Sequence, residues 1–88
     1  MKLLKFEKDN CPGCTMSAQF MSSISFDETK IDVKRPYDKA EDAELAGKYG
    51  VMSLPTFLVL DDNGEVVKRM DGYNPAKAGE LKEILDLV

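Results

Sequence analysis

The sequence predicts a single α/β domain, in which a four-stranded mixed sheet is flanked by three helices in the order βαβαββα. The run from Thr56 to Leu60 is continuously apolar, as expected for a strand that is covered on both faces. Asp62-Asn63-Gly64 follows it, and Asn-Gly accepts the positive φ values that a tight hairpin turn needs. Near the C-terminus, apolar residues recur at helical spacing opposite charged ones. A chain of 88 residues has room for one core, so one domain is expected over residues 1–88.

Two strands and two helices are predicted in the first half of the chain. Leu3 to Phe6 suits a short strand, and Lys30 to Val33 suits a second. A helix is predicted from Pro12 to about Ser23, and a shorter one from Ala40 to Tyr49, closed by Gly50. The predicted apolar face of the first helix consists of Cys14, Ala18 and Met21, widened by Met16, Phe20 and Ile24.

The remaining elements follow from turn and cap signals. The connection over residues 33–42 is charged and contains Arg35-Pro36, so it is predicted to be an exposed loop. Glu65 to Met70 is expected to return as the antiparallel partner of the third strand. Gly72 breaks the chain, and Asn74-Pro75 is typical of a helix cap followed by a first helical proline. The apolar side of the last helix is predicted to contain Ala78, Leu81, Ile84, Leu85 and Val88.

The connections predict how the strands pair. The first two strands are joined by a helix, so they should be parallel with a right-handed crossover. In such a mixed sheet the third strand runs antiparallel to the first, and its start lies beside the end of the first strand. Pro55, which leads into the third strand, should therefore lie next to the residues that follow Phe6.

Charge and hydropathy exclude several classes of partner. The formal net charge is −4 and no basic cluster is present, so no nucleic acid partner is expected. No apolar run approaches the roughly 20 residues that span a bilayer, so no membrane association is expected. The apolar N-terminal stretch is interrupted by Lys5, Glu7, Lys8 and Asp9, unlike a signal peptide. We expect a cytoplasmic monomer.

Both cysteines of the chain lie in one tetrapeptide, Cys11-Pro12-Gly13-Cys14. If Cys11 is the N-cap of the first helix, Pro12 is the first helical residue, where its missing N–H costs nothing. Cys14 then occupies the third helical position, whose side chain reaches back to the cap. The two sulfurs are close enough for a reversible bridge, and the positive end of the helix favours a Cys11 thiolate.

A dithiol–disulfide switch is favoured over the other roles of such a pair. A structural disulfide is disfavoured in a reducing compartment. Tetrahedral zinc needs four ligands, and a chain with two cysteines and no histidine would need carboxylates or a second chain to complete the set. A cluster-binding dimer has the same weakness. We therefore expect no bound metal or cofactor, and a Cys11–Cys14 disulfide as the redox centre.

The chain as a whole resembles the thioredoxin-fold family, and small bacterial or phage thioredoxins in particular. The matching residues are Leu4, Phe6, Cys11-Pro12-Gly13-Cys14, Ile31-Asp32, Ala43-Glu44-Leu45-Ala46, the run from Lys48 to Phe57, the run from Asn63 to Val67, and Gly72. The usual N-terminal strand and helix of thioredoxins are not found, which leaves a minimal thioredoxin fold. Asn10 replaces the usual tryptophan, and Pro-Gly between the cysteines is closer to glutaredoxins.

The resemblance implies a thiol–disulfide oxidoreductase with a cis Leu54–Pro55 bond. In this interpretation Cys11 is the exposed nucleophile, Cys14 is the resolving thiol, and substrates are proteins with disulfides, such as ribonucleotide reductase. The electron donor would be a thioredoxin reductase or the glutathione system. The alternatives are a glutaredoxin-like protein recycled by glutathione and a non-catalytic binding module. Predicted substrate-binding residues are Pro12, Gly13, Leu54, Pro55 and Gly72.

Five further residues have roles that the sequence leaves open. Thioredoxins have a buried acid at the position of Lys5, where a cation would instead favour a nearby thiolate. Lys5 could equally extend to solvent, and Glu7 or Asp9 could supply the missing carboxylate. Met52 is either part of an apolar docking rim or a core residue. Tyr49 is expected to pack in the core.

Overall fold

A computed structural model of the chain describes residues 1–23 and 28–86. The predicted order of elements is confirmed, with a short 3-10 helix added at Glu28–Lys30. The strands are β1 (Lys2–Phe6), β2 (Ile31–Lys34), β3 (Thr56–Leu60) and β4 (Val66–Asp71). The helices are α1 (Pro12–Ser23), α2 (Ala40–Lys48) and α3 (Pro75–Asp86). Ile24 and Val88, which were predicted on apolar helix faces, lie outside the described residues.

The four strands form one mixed sheet in the order β2-β1-β3-β4. β1 pairs in parallel with β2, and β3 pairs antiparallel with both β1 and β4. The predicted topology is therefore confirmed. Phe6 at the end of β1 pairs with Thr56 at the start of β3, so the segment before β3 adjoins the loop that carries the cysteines.

Two apolar cores lie on opposite faces of the sheet. The core under α1 and α3, the α1/α3 core, is built from Leu3, Met21, Phe57, Val59, Met70, Ala78, Leu81 and Leu85. The core under α2, the α2 core, is built from Leu4, Phe6, Ala46, Leu58 and Leu60. All five residues of β3 are buried, as their continuous apolar sequence predicted. Tyr49 packs against the α2 core, which confirms it as a packing residue.

The apolar face predicted for α1 is partly wrong. Ala18 is exposed and Met16 is 55% exposed, whereas the buried positions are Cys14, Ser17 and Met21. Ser17 fits there because its side chain is small and its hydroxyl donates a hydrogen bond to the Cys14 carbonyl oxygen at 2.8 Å. A buried polar group that is satisfied in this way costs little, so the helix face does not require an apolar residue at position 17.

The ends of α2 and α3 are set by local chemistry. The Asn74 side-chain oxygen accepts a hydrogen bond from the Ala76 N–H at 3.0 Å, which confirms the predicted cap before Pro75. Gly50 has φ = 63° directly after the C-cap Tyr49, a conformation that favours glycine and confirms the predicted helix end. In the described part of the chain, no helix has the length and hydropathy to cross a membrane.

Candidate active site

The two cysteines meet at the N-terminus of α1. The Thr15 N–H donates to the Cys11 carbonyl oxygen at 3.1 Å, so Cys11 is the N-cap residue and Pro12 is the first residue of the helix. Cys11 and Cys14 are joined by a disulfide with a Cα–Cα distance of 5.2 Å. The Cys14 N–H also donates to the Cys11 sulfur at 3.2 Å. The predicted approach of the two sulfurs at the helix start is confirmed.

The exposure expected for Cys11 is not found in this oxidised state. Cys11 is 6% exposed and Cys14 is 7% exposed, so the two residues are buried to the same degree. The physical reason is the disulfide itself, because it holds the Cys11 sulfur over the end of α1 beside Cys14. Both cysteines nevertheless contribute to the wall of a surface pocket.

Pro55 lies directly against the helix start. The Leu54–Pro55 bond is cis, as the resemblance to thioredoxins implied. A Cβ atom at Gly13 would lie 3.1 Å from Pro55 Cδ, so only a glycine lets the ring approach this closely without a shift of its neighbour. On the other side, the Gly72 N–H donates to the Pro55 carbonyl oxygen at 2.7 Å, and Gly72 has φ = 78°.

The predicted substrate-binding residues are only partly brought together. Gly13, Pro55 and Gly72 form a continuous series of contacts beside the disulfide, and Pro12 is exposed next to Cys11. Leu54 instead packs against the α2 core and is half-buried. Met52 is 93% exposed, so its interpretation as a core residue is wrong.

Lys5 lines the same pocket as the two cysteines and does not extend to solvent. Its side chain is 10% exposed, and its ammonium nitrogen lies 3.3 Å from Oε1 of Glu7. The interpretation of Lys5 as a surface cation is therefore wrong. A buried ammonium needs a partner of opposite charge, and Glu7 supplies it from the same face of the chain.

Arg35 is the site residue that sequence analysis missed. It was assigned to an exposed loop, but its Nη1 lies 2.8 Å from Oε2 of Glu7 and its Nη2 lies 2.6 Å from Oδ1 of Asp9. A third ion pair joins Nε to Asp38. Hydrogen bonds with Asp38 and Asp9 raise the pKa of Arg35 further above its ordinary value, so the guanidinium is permanently charged.

The parallel pairing of β1 with β2 was the signal that could have predicted the position of Arg35. Phe6 pairs with Lys34, and the Glu7 N–H donates to the Lys34 carbonyl oxygen at 2.9 Å. The residues that follow β1 and β2 therefore leave the sheet side by side, which places Arg35 beside Glu7. The first turn of α2 holds a second unexpected feature, because Asp42 is buried and accepts a hydrogen bond from the Arg35 backbone N–H at 2.8 Å.

The disulfide and these charges border one surface pocket of about 370 Å³. Its lining comprises Lys5, Glu7, Lys8, Asp9, Asn10, Cys11, Cys14, Thr15, Ala18, Gln19 and Arg35. Within residues 1–23 and 28–86, no three His, Cys, Asp or Glu side chains are grouped so as to hold a metal ion. The chemistry that this arrangement offers is thiol–disulfide exchange next to fixed charges.

Comparisons with known proteins agree with this geometry. Residues 2–88 match the family model described as a thioredoxin-like domain. The SPbeta prophage-derived thioredoxin-like protein YosR of Bacillus subtilis (strain 168) is 32% identical over 81 residues, covering 92% of this chain and 94% of YosR. A thioredoxin of the same strain is 44% identical over 79 residues, covering 86% of this chain and 70% of the relative. The solved structure of reduced Schistosoma mansoni thioredoxin pre-protein has a TM-score of 0.69 at 27% identity, covering 93% of this chain and 75% of that one.

Proposed function

The chain belongs to the thioredoxin-like family, and we propose that it reduces disulfides in protein substrates through a Cys11/Cys14 dithiol–disulfide cycle. One observation carries the proposal: the disulfide lies at the N-terminus of α1, with the cis Pro55 packed against Gly13 between the cysteines. A redox-active sulfur pair thus borders a strand start at which a peptide substrate can dock.

The proposed cycle begins with the reduced protein. The Cys11 thiolate attacks one sulfur of the substrate disulfide, the substrate S–S bond breaks, and the departing sulfur leaves as a thiolate that takes up a proton. The Cys14 thiol then loses its proton and attacks the Cys11 sulfur, the mixed disulfide bond breaks, and the second substrate sulfur leaves as a thiolate that takes up a proton. Two electrons pass to the substrate, and an external reductant restores the Cys11–Cys14 dithiol.

The assignment of Cys11 as nucleophile is supported by its place at the helix end. The Cys14 N–H points at the Cys11 sulfur, and backbone N–H groups at a helix start stabilise negative charge. Cys14 lies one turn into the helix, where its sulfur reaches Cys11 and its own backbone N–H is directed at the Cys11 sulfur. This geometry suits a thiol that acts only on an adduct already formed at Cys11.

Substrate docking is assigned to the edge formed by Pro12, Pro55 and Gly72. Proline has no N–H, so Pro55 makes no donor contact of its own at the start of β3 and leaves the neighbouring backbone for an extended peptide. Met52, exposed on the loop before Pro55, adds a flexible apolar contact for varied substrates.

Two single substitutions test the roles of the cysteines. Cys11→Ser is expected to abolish reduction of insulin disulfides by dithiothreitol-recycled protein, because a hydroxyl is not ionised at neutral pH. In Cys14→Ser, Cys11 is expected to attack the substrate disulfide as before, but no thiol is left to release the substrate. A covalent adduct with the substrate therefore accumulates and is visible by mass spectrometry. Normal turnover by both variants would refute the proposal, and an adduct on Cys14 in the Cys11→Ser variant would reverse the two roles.

The electron donor is tested separately, because Pro12 directly after the first cysteine is a glutaredoxin-like feature. We propose a flavoprotein thioredoxin reductase as donor, and the cytoplasm as the compartment in which this cycle runs. Insulin reduction is measured with NADPH and thioredoxin reductase, and in parallel with glutathione and glutathione reductase. Turnover with only the second system would assign the chain to the glutaredoxin-like alternative, and turnover with neither would favour a binding module.

A further inference from the structure

Arg35 lies in a loop, but both its side chain and its backbone are held by other residues. Its guanidinium contacts three carboxylates, those of Glu7, Asp9 and Asp38, and its backbone N–H is held by the buried Asp42 of α2. Its side chain is 27% exposed and that of Glu7 is 22% exposed, so the ion pair with Glu7, one of the three, is partly shielded from solvent. Arg35 therefore connects the segment after β1, which carries Cys11, to the start of α2.

Within the described part of the chain, the charged residues that line the pocket beside the disulfide come from two segments. β1 and the loop that follows it contribute Lys5, Glu7, Lys8 and Asp9, and the loop after β2 contributes Arg35. The residues of α1 that line the same pocket, Thr15, Ala18 and Gln19, are uncharged. The pocket thus holds three cations and two carboxylates, and Arg35 is the partner of both carboxylates.

We propose that Arg35 is a positioning residue for the dithiol: it neutralises Glu7 and Asp9 beside the cysteines and thereby stabilises the thiolate of the reduced protein. This inference rests on the proposed Cys11/Cys14 cycle. Arg35 acts through the two carboxylates and needs no contact with the reacting sulfurs.

The direction of the effect follows from Coulomb's law. Without the guanidinium, Glu7 keeps only the partner Lys5, and Asp9 loses the ion pair that the described residues give it. Uncompensated negative charge near a thiol disfavours its ionised form. Glu7 contributes most, because its side chain is 22% exposed whereas that of Asp9 is 81% exposed and is screened by solvent.

The test uses Arg35→Met, which removes the charge and keeps an unbranched apolar stem. In the reduced protein, the absorbance of thiolate against pH should show that the thiol pKa has risen by about 0.5 to 1. Alkylation by iodoacetamide below that pKa should then be roughly three- to tenfold slower. Above it, the equilibrium with glutathione should shift by the same factor toward the disulfide, which lowers the reduction potential by about 15 to 30 mV.

Two variants separate electrostatics from loss of an anchor. Arg35→Lys keeps the charge and should restore most of the wild-type titration. The double variant Arg35→Met/Glu7→Gln lacks the anchor but regains the net charge of the pocket, so its thiol pKa should return to the wild-type value or below it. If the double variant titrates like Arg35→Met, the residue acts only by holding the loop and the proposal is wrong.

Lys77→Met is the matched control, because it removes one cation from the exposed side of α3, away from the pocket. Its titration should overlay that of the wild type. Should Arg35→Met not fold, Glu7→Gln provides the opposite test, because Glu7 is the less exposed of the two carboxylates, and the thiol pKa of that variant should fall. An unchanged or raised value there would overturn the proposal. The thiol titration needs no substrate, so failure of insulin reduction would affect the proposed function and not this result.

Discussion

Lys5 is a buried cation whose position is set by one strand and one partner. Its side chain points from β1 into the layer beneath α1, where its ammonium pairs with Glu7 at 3.3 Å. Removing a lysine from water is costly unless an opposite charge accompanies it, and a carboxylate two residues along the chain extends from the same face. Both cysteines line the pocket that Lys5 also borders, so we expect the charge of Lys5 to favour their ionised forms.

We expect Lys5→Met to raise the pKa of the Cys14 thiol by about one unit, since the substitution removes a cation and adds apolar surface. The measurement is the pH dependence of Cys14 alkylation in a Cys11→Ser background, so that only one thiol reacts. Lys2→Met is the control, because Lys2 lies on the same strand but its side chain is 56% exposed. If the alkylation curves of Cys11→Ser with and without Lys5→Met coincide, Lys5 does not affect the ionisation of Cys14.

At the scale of elements, Arg69 connects β4 to the end of α2. Its Nη1 and Nη2 donate to the carbonyl oxygens of Tyr49 and Gly50 at 2.6 Å and 2.9 Å, and its Nε pairs with Asp71 at 3.0 Å. The last carbonyls of a helix have no partner within the helix, and a cation satisfies them. The loop from α2 to Pro55 is thereby held to the strand that leads to Gly72.

Arg69→Met should lower the free energy of unfolding by about 1 kcal/mol at neutral pH, because the two carbonyl contacts and the ion pair are lost from a partly exposed position. Chemical denaturation with urea measures this loss. The KM for insulin should also rise, since the Pro55 loop loses its link to β4. An unchanged free energy of unfolding would mean that water replaces the guanidinium without cost.

The acid dependence of this contact has a definite sign. The hydrogen bond from Arg69 lowers the pKa of Asp71, which outweighs the opposite effect of its partial burial. A carboxyl whose folded pKa is lowered contributes stability above its unfolded pKa of about 3.9, and this contribution is lost as the pH falls through the folded value. The difference in the free energy of unfolding between wild type and Arg69→Met should therefore become smaller below about pH 4.

Asp32 provides the internal control for that experiment. Burial raises its pKa, but hydrogen bonds from Lys34 and Lys2 together lower it below the ordinary value. This contribution is present in both proteins, because Asp32 lies on β2 and does not pair with Arg69. The stability that Asp32 loses in acid therefore cancels when the two free energies of unfolding are subtracted. If the free energies of both proteins fall in parallel as the pH is lowered, Asp71 makes no contribution of its own.

At the scale of the whole molecule, one sheet separates two cores. Leu58 belongs to the α2 core and Leu81 to the α1/α3 core, and each is at most 1% exposed. Leu58→Val and Leu81→Val should each cost about 1 kcal/mol, since each removes one buried methylene. The loss in the free energy of unfolding of the double variant should equal the sum of the two single losses to within about 0.5 kcal/mol, because the two side chains belong to separate cores. Urea unfolding curves of the four proteins measure the coupling, and a large deviation from additivity would indicate that the cores share a packing defect.

Several features of this protein follow from the sequence alone, because they depend on local chemistry. The strand Thr56–Leu60, the helix start at Cys11-Pro12, the cap at Asn74 and the helix end at Gly50 each rest on residues within one or two turns of one another. The cysteine spacing likewise predicts a disulfide at a helix end. Connection rules then extend these elements to the mixed sheet and place Pro55 beside the cysteines.

Only the tertiary structure decided the electrostatics of the pocket. From the sequence, the role of Lys5 stayed open and the exposed position predicted for Arg35 was wrong. Charged residues are expected at the surface by default, and whether one is buried depends on partners elsewhere in the chain. Glu7 and Arg35 are 28 residues apart, and they meet because β1 and β2 pair in parallel and end together. The polar Ser17 is tolerated in the core for a local reason instead, since a carbonyl of the preceding turn satisfies its hydroxyl. Local pattern determines which element forms, whereas the pairing of distant segments determines which charges face the cysteines.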